Sequence, residues 1–209
     1  MLRILIADDH TVVRKGLKQI LLDEFPSAVI EEVADAEELI KKVLSAKWDI
    51  VISDVSMPGR SGLDALQQIK LSFPDLPVLI LSIHPEEQYA LRALKSGASG
   101  YLSKDTAAVE LVNAVKKVLL GKRYISQAIA ERLANSFSAG TTLNTHESLS
   151  DREFDVMKLL ANGKSVSEIA ELLSLSVTTV STYRARVMIK MNLKSNSDLT
   201  KYAIENKLI

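Results

Sequence analysis

Five residues whose chemistry goes together stand directly after short apolar runs. Asp8 and Asp9 follow ILIA, Asp54 closes DIVIS, Ser82 closes PVLIL, and Lys104 follows GYLS. Carboxylates gathered in one place raise one another's pKa unless a cation sits among them. An oxygen-only donor set suits Mg²⁺, which binds carboxylates, carbonyls and water and readily takes a phosphate oxygen as a further ligand. A carboxylate is also a nucleophile towards phosphorus, giving an aspartyl-phosphate. A hydroxyl such as Ser82 and an ammonium such as Lys104 then suit the phosphoryl oxygens. Each residue alone has an ordinary explanation: Asp9, for example, is placed to cap a helix starting near Thr11. Their joint position at matched strand ends favours the chemistry.

The elements that must position them alternate. Strands are expected at 4–7, 29–34, 50–53, 78–81 and 100–102, and helices at 12–24, 36–45, 63–72, 86–96 and 107–120. Five strand–helix units imply an α/β doubly wound parallel sheet with helices on both faces, since parallel strands need crossover helices. In such a sheet ligands bind beyond the carboxyl ends of the strands. Asp8, Asp9, Asp54, Ser82 and Lys104 all fall at that edge.

Bulk properties narrow the class. The 209 residues carry 26 Lys+Arg against 26 Asp+Glu and no cysteine, which excludes disulfides and thiolate metal sites. No apolar run is long enough to span a bilayer, and MLRILIADD lacks a secretory pattern. A cytoplasmic location without membrane contact is expected. The charge is uneven: residues 1–121 hold 14 Lys/Arg against 17 Asp/Glu, and 148–209 hold 9 against 7. Different partners for the two ends follow.

Residues 134–147, rich in Ser, Thr, Asn and Gly, read as a linker. The domains expected are therefore 1–121, a helix extension and linker over 122–147, and 148–209. In the tail, Ser150, Ser165 and Ser195 each precede an acid at the capping-box spacing, and Ser176 caps a further stretch. Four helices result, near 151–162, 166–173, 177–191 and 196–206. The third places Val180, Tyr183, Val187 and Met191 on a core stripe and Ser181, Thr182, Ala185 and Arg186 opposite, with Arg184 and Lys190 at the edges. A helix, a tight turn and a basic second helix make a helix-turn-helix. A solvated bundle face is the plainer alternative. Leu199, Tyr202 and Ala203 offer either a dimer stripe or packing within the domain. Gly163-Lys164-Ser165 mimics the end of a P-loop, but no strand precedes it. His10, His84 and His146 are too scattered in the sequence to propose as metal ligands.

At these motifs a family resemblance becomes specific. Residues 1–121 resemble the receiver domain of two-component response regulators, through Asp8–Asp9, DVSMPGRSG from Asp54, Ser82 and GYLSKD carrying Lys104. The resemblance implies a flavodoxin-like sheet of order 2-1-3-4-5 and phosphorylation of Asp54 by a cognate histidine kinase. It also implies Mg²⁺ held by Asp9, Asp54 and the backbone carbonyl of Ser56, with Asp8 acting mainly through water. Pro58 and Gly62 would shape the loop. Ser82 and Tyr101 would form the switch that reads the phosphoryl group. Ile83 stands where a small residue or Met is more usual, which bears on phosphoryl lifetime. On this resemblance the chain is no enzyme beyond accepting a phosphoryl group and slowly losing it. A hydrolase of small phosphate esters is the rival reading, but it usually wants an acid where Ser56 stands.

The tail from Leu149 to Ile209 is similar to LuxR-type DNA-binding domains, an all-α four-helix helix-turn-helix unit, and the pairing with a receiver marks the NarL/FixJ class. Ser181-Thr182-Tyr183-Arg184 looks most like the GacA branch. The DNA contacts implied are Thr178, Thr179, Ser181, Thr182, Arg184, Ala185, Arg186, Lys190 and Lys194, with Arg184, Lys190 and Lys194 on phosphates. Many members carry Lys early in the recognition helix, where this chain has Ser181 and Thr182. Promoter DNA and a second copy of the chain are the expected partners, and RNA polymerase is a further candidate.

Overall fold

The computed structural model describes residues 1–131 and 145–209. The chain divides into two compact units, Met1–Ala139 and Gly140–Ile209.

In the first unit five strands, β1 (Arg3–Ala7), β2 (Val29–Val33), β3 (Ile50–Asp54), β4 (Val78–Ser82) and β5 (Gly100–Ser103), alternate with five helices. These are α1 (Thr11–Glu24), α2 (Ala36–Ser45), α3 (Gly62–Ser72), α4 (Glu86–Lys95) and α5 (Ala107–Leu119). All pairings are parallel and the order is β2-β1-β3-β4-β5, as expected. β3 and β4 are buried at every position, because helices cover both faces of the central strands. At the β2 edge Glu31 and Glu32 are only half-buried and pair with Lys42 and Lys18.

Register brings the polar strand ends level. Ala7 pairs with Ser53, Asp54 with Leu81 and Ser82 with Ser103. The ladders run one step further, through Val55 N–H to Leu81 O at 3.0 Å and Lys104 N–H to Ser82 O at 2.9 Å. Asp8, Asp54, Ser82 and Lys104 therefore emerge along one rim.

After α5 the chain returns to the sheet. Tyr124 bridges to Gly100, with Tyr124 N–H on Ser99 O and Tyr101 N–H on Tyr124 O, both at 3.0 Å. Gly100 makes this possible: a Cβ there would stand 2.7 Å from Tyr124 O. Residues 127–131 are helical and bury Ile129. Most of the linker expected over 134–147 lies outside the described residues.

The second unit has a 3₁₀ turn at Thr145–Ser148 and four helices, α6 (Asp151–Ala161), α7 (Val166–Leu172), α8 (Val177–Met191) and α9 (Asn196–Glu205). Capping boxes open α6, α7 and α9 at Ser150, Ser165 and Ser195, while Ser176 accepts the Thr179 N–H at 3.0 Å to open α8. Each satisfies amide donors that a helix start leaves unpaired. Phe154, Met157, Ile169, Val180, Val187 and Leu199 form the centre of the core. Leu199 and Ala203 are fully buried, so that stripe packs within its own domain.

Candidate functional site

Lys104 answers the repulsion that the aspartates would otherwise suffer. Its Nζ lies 2.7 Å from Asp8 Oδ2 and 2.8 Å from Asp54 Oδ2, bridging two carboxylates that are 1% and 2% exposed. Burial pushes the Asp54 carboxyl above its ordinary pKa, and Lys104 opposes that rise. Burial would lower the pKa of Lys104, but the bonds from Asp54 and Asp8 outweigh it and hold the ammonium above its usual value.

The same pocket is suited to a cation. Asp54 Oδ1 is buried with no hydrogen-bond partner of good geometry. One donor atom from each of Asp8, Asp9, His10 and Asp54 lies within 4.8 Å of the others. An orphaned carboxylate oxygen among further carboxylates fits a hard divalent ion. His10 belongs to this group although sequence spacing gave no reason to single it out. Asp9 does not cap α1. The N-cap is His10, without a side-chain cap, and Asp8 Oδ1 instead accepts the His10 N–H at 2.8 Å.

The loop after β3 is shaped by two glycines in different ways. Gly59 adopts φ +71°, a left-handed conformation that suits glycine. Gly62 needs no special φ. Instead, a Cβ on it would stand 1.8 Å from the carbonyl oxygen of Asp54, so the start of α3 rests directly on the backbone of Asp54. Gly62, expected to shape the loop, does so by close approach. Ser61 opens α3 in a capping box with Asp64, a Ser-x-x-acid pattern that sequence reading used only in the tail.

At the other side of the pocket, contacts converge on His84. Its N–H donates to Ser82 Oγ at 3.0 Å, and its carbonyl accepts the Tyr101 hydroxyl at 2.9 Å. Its ring stacks on Tyr89 of α4 with centroids 4.5 Å apart and bonds through Nε2 to Ser56 Oγ at 2.9 Å. Tyr101 is buried, and burial raises its hydroxyl pKa far above the ordinary value against a bond from Ser82. His84 thus ties the Asp54 loop to β4, β5 and α4. A histidine two residues beyond Ser82 was the available signal.

In the second unit, α7 and α8 meet at a tight turn in which Ser174 takes φ 53°. Ser181, Thr182, Ala185 and Arg186 lie exposed on α8, opposite Val180, Val187 and Met191, which are buried. Tyr183, expected in the core stripe, is half-buried. Other proposed contacts already have partners. Thr179 Oγ1 pairs with Ser176 Oγ, and Thr182 Oγ1 donates to Thr178 O at 2.9 Å. Arg184 donates to Asn196 Oδ1. Lys190 lies 2.6 Å from Glu153 Oε2. Lys194 is exposed.

Comparison with known proteins meets these features at both ends. Residues 4–116 match the response regulator receiver domain, and residues 147–203 match the bacterial regulatory proteins of the luxR family. The chain is a response regulator of the NarL/FixJ class. This response regulator is 39% identical to the oxygen regulatory protein NreC of Staphylococcus carnosus, over 100% of the chain and 99% of NreC. It is 37% identical to the response regulator UvrY of Escherichia coli K12, over 100% of the chain and 96% of UvrY. Among solved structures it resembles RcsB from Salmonella enterica serovar Typhimurium bound to promoter rprA with a phosphomimetic. That match has a TM-score of 0.62 and 27% identity, over 97% of this chain and 98% of RcsB. In this response regulator the acidic rim belongs to the receiver and α7–α8 to the LuxR-type unit. Among the described residues no helix is long and apolar enough to cross a membrane.

Proposed function

We propose that this response regulator accepts a phosphoryl group on Asp54 from the phosphohistidine of a cognate kinase and, so modified, binds promoter DNA as a homodimer in the cytoplasm. The observation that carries the reading is the pairing at Asp54. Lys104 holds Oδ2 at 2.8 Å, while Oδ1 is buried with no hydrogen bond of good geometry. A carboxylate oxygen of Asp54 attacks phosphorus, the P–N bond to the kinase imidazole breaks, and that imidazole keeps the electron pair. Lys104 then follows the charge onto the phosphoryl oxygens, and Ser82, on the same rim, supplies a hydroxyl. Asp8, Asp9, Asp54 and the Ser56 carbonyl would hold Mg²⁺, which supplies charge neutralisation to the transferring group. The register of the strands and the orphaned oxygen support that assignment. Slow loss of the phosphoryl group to water returns the chain to its resting state.

Tyr101 and His84 fit the role of relay. A hydroxyl drawn towards Asp54 moves Ser82, which bears on the His84 amide, and His84 bears on Tyr101 and Tyr89. The receiver then covers 1–121, with 122–147 joining it to the DNA-binding unit at 148–209. On α8, Ser181, Thr182, Ala185 and Arg186 face bases, helped by Thr178 and Thr179. Arg184, Lys190 and Lys194 anchor phosphates, with RNA polymerase a further partner. Helix-turn-helix dimers bind paired half-sites, so a repeated operator is expected.

The test is intact mass after incubation with a small phosphodonor and Mg²⁺, beside Asp54→Asn. One phosphoryl adduct in the wild type, absent from the variant, supports the reading. An adduct that persists in Asp54→Asn removes it. Footprinting with the phosphorylated chain then examines the operator, and protection of a single half-site by monomer would refute the dimer.

A further inference from the structure

We propose that the imidazole of His10 is a further ligand of the cation in the acidic pocket, giving the site a nitrogen donor that discriminates among divalent metals. The inference rests on the reading of Asp8, Asp9 and Asp54 as cation ligands.

His10 Nδ1 lies 2.7 Å from Asp9 Oδ1 and 3.3 Å from Asp8 Oδ1. A ring nitrogen of His10 shares the 4.8 Å donor cluster with all three aspartates. Metal–donor bonds of about 2.1 Å put opposite ligands about 4.2 Å apart, so modest side-chain adjustment closes the group around one ion. A further observation points into the same space: Asp54 Oδ1, on a residue 2% exposed, makes no hydrogen bond of good geometry. The ring's place follows from the chain. The His10 amide is fixed to Asp8 Oδ1 at 2.8 Å, which holds its Cα beside the acids. The side chain itself is 66% exposed, so the ring can turn onto an ion without disturbing the core.

The consequence is selectivity. Mg²⁺ takes oxygen donors and retains water, and so gains little from an imidazole. Mn²⁺ and the ions after it in the first transition row accept nitrogen, with affinity rising along the series. The pocket should therefore hold Mn²⁺ better than the same three carboxylates without His10.

The experiment uses the full chain, with Mn²⁺ affinity measured by loss of the free-ion electron paramagnetic resonance signal and Mg²⁺ affinity by competition. Pulsed measurements on bound Mn²⁺ report a directly coordinated nitrogen. Wild type, His10→Ala and Asp9→Asn are compared, with circular dichroism to confirm folding. The expected result is a nitrogen modulation in the wild type that His10→Ala lacks, and about tenfold weaker Mn²⁺ binding in that variant. Mg²⁺ affinity should change far less. If Mn²⁺ binds and Asp9→Asn releases it, but the nitrogen signal is absent or survives in His10→Ala, the cation site stands. His10 is then only a close polar neighbour of Asp9, and the proposal is overturned. If Mn²⁺ fails to bind, or binds Asp9→Asn as it binds wild type, the cation site itself is refuted and the proposal falls with it.

Discussion

Ser56 Oγ and His84 Nε2 lie 2.9 Å apart, joining the loop after β3 to the loop after β4. The bond ties a residue two beyond Asp54 to a residue two beyond Ser82 and so restrains both segments. Ser56→Ala removes it without adding bulk. The phosphoryl group on Asp54 should then be lost about three to ten times faster, a barrier change of about 1 kcal/mol. The check is the decay of the phosphorylated form in intact-mass time courses. An unchanged half-life would mean that the bond has no part in shielding the site.

Lys104 compensates two buried carboxylates at once, so removing it should cost stability before it costs chemistry. Lys104→Met leaves Asp8 and Asp54 facing each other, and the metal-free receiver should lose about 3 kcal/mol. Millimolar Mg²⁺ should restore most of the loss, because a divalent ion supplies the missing charge. Thermal melts with and without Mg²⁺ decide this. A variant as stable as wild type without metal would show that the ion pair contributes nothing.

Gly62→Ala places a methyl group 1.8 Å from the Asp54 carbonyl. Neither atom belongs to a flexible side chain, so backbone must move. The expected result is a loss of about 2–4 kcal/mol together with at least a tenfold fall in phosphorylation rate. Gly59→Ala serves as the comparison. It strains a left-handed turn at about 1–2 kcal/mol but meets no atom within 4 Å, so phosphorylation should be affected less.

The two cations Arg186 and Lys190 should separate in a DNA-binding assay. Arg186→Ala should weaken binding and relax sequence preference at the base it faces, with no change in melting temperature. Lys190→Met should weaken binding too, through its lost phosphate contact, and should also destabilise the second unit. For Glu153, burial works to raise the carboxyl pKa, but the bonds from Lys190 and from the Ser150 amide prevail and hold it below its ordinary value. Such a group adds stability above the unfolded carboxylate pKa, and that stability is lost as pH falls through the folded value. Without Lys190, burial dominates and the acid transition should begin at higher pH. Lys190 is partly exposed, which screens the pair and holds the neutral-pH cost to about 1–2 kcal/mol. Melts across pH 3–7 and salt titrations of binding measure both effects.

What was legible in the sequence follows from periodicity and capping. Apolar runs such as DIVIS and PVLILS identify strands buried on both faces, and each Ser-x-x-acid in the tail marks a helix start that the structure contains. Asp8, Asp54, Ser82 and Lys104 were legible because strand ends share a rim. Contacts made by small or versatile residues across loops were not. Nothing in the spacing of Ser56 and His84 announces their bond, and the closeness of Gly62 to Asp54 depends on the angle at which α3 enters. The pairing of Lys190 with Glu153 joins residues far apart in the chain, so a basic helix face read in isolation assigns that cation to solvent or DNA.

The two sides of α8 also have separate fates under mutation. Val180, Val187 and Met191 hold the helix in place, while Ser181, Thr182, Ala185 and Arg186 take no part in that packing. Exchanges at those four exposed positions should leave the fold intact. With these four positions reading the operator, as proposed, a duplicated copy of this chain is free to drift towards a new operator sequence one substitution at a time while keeping its fold.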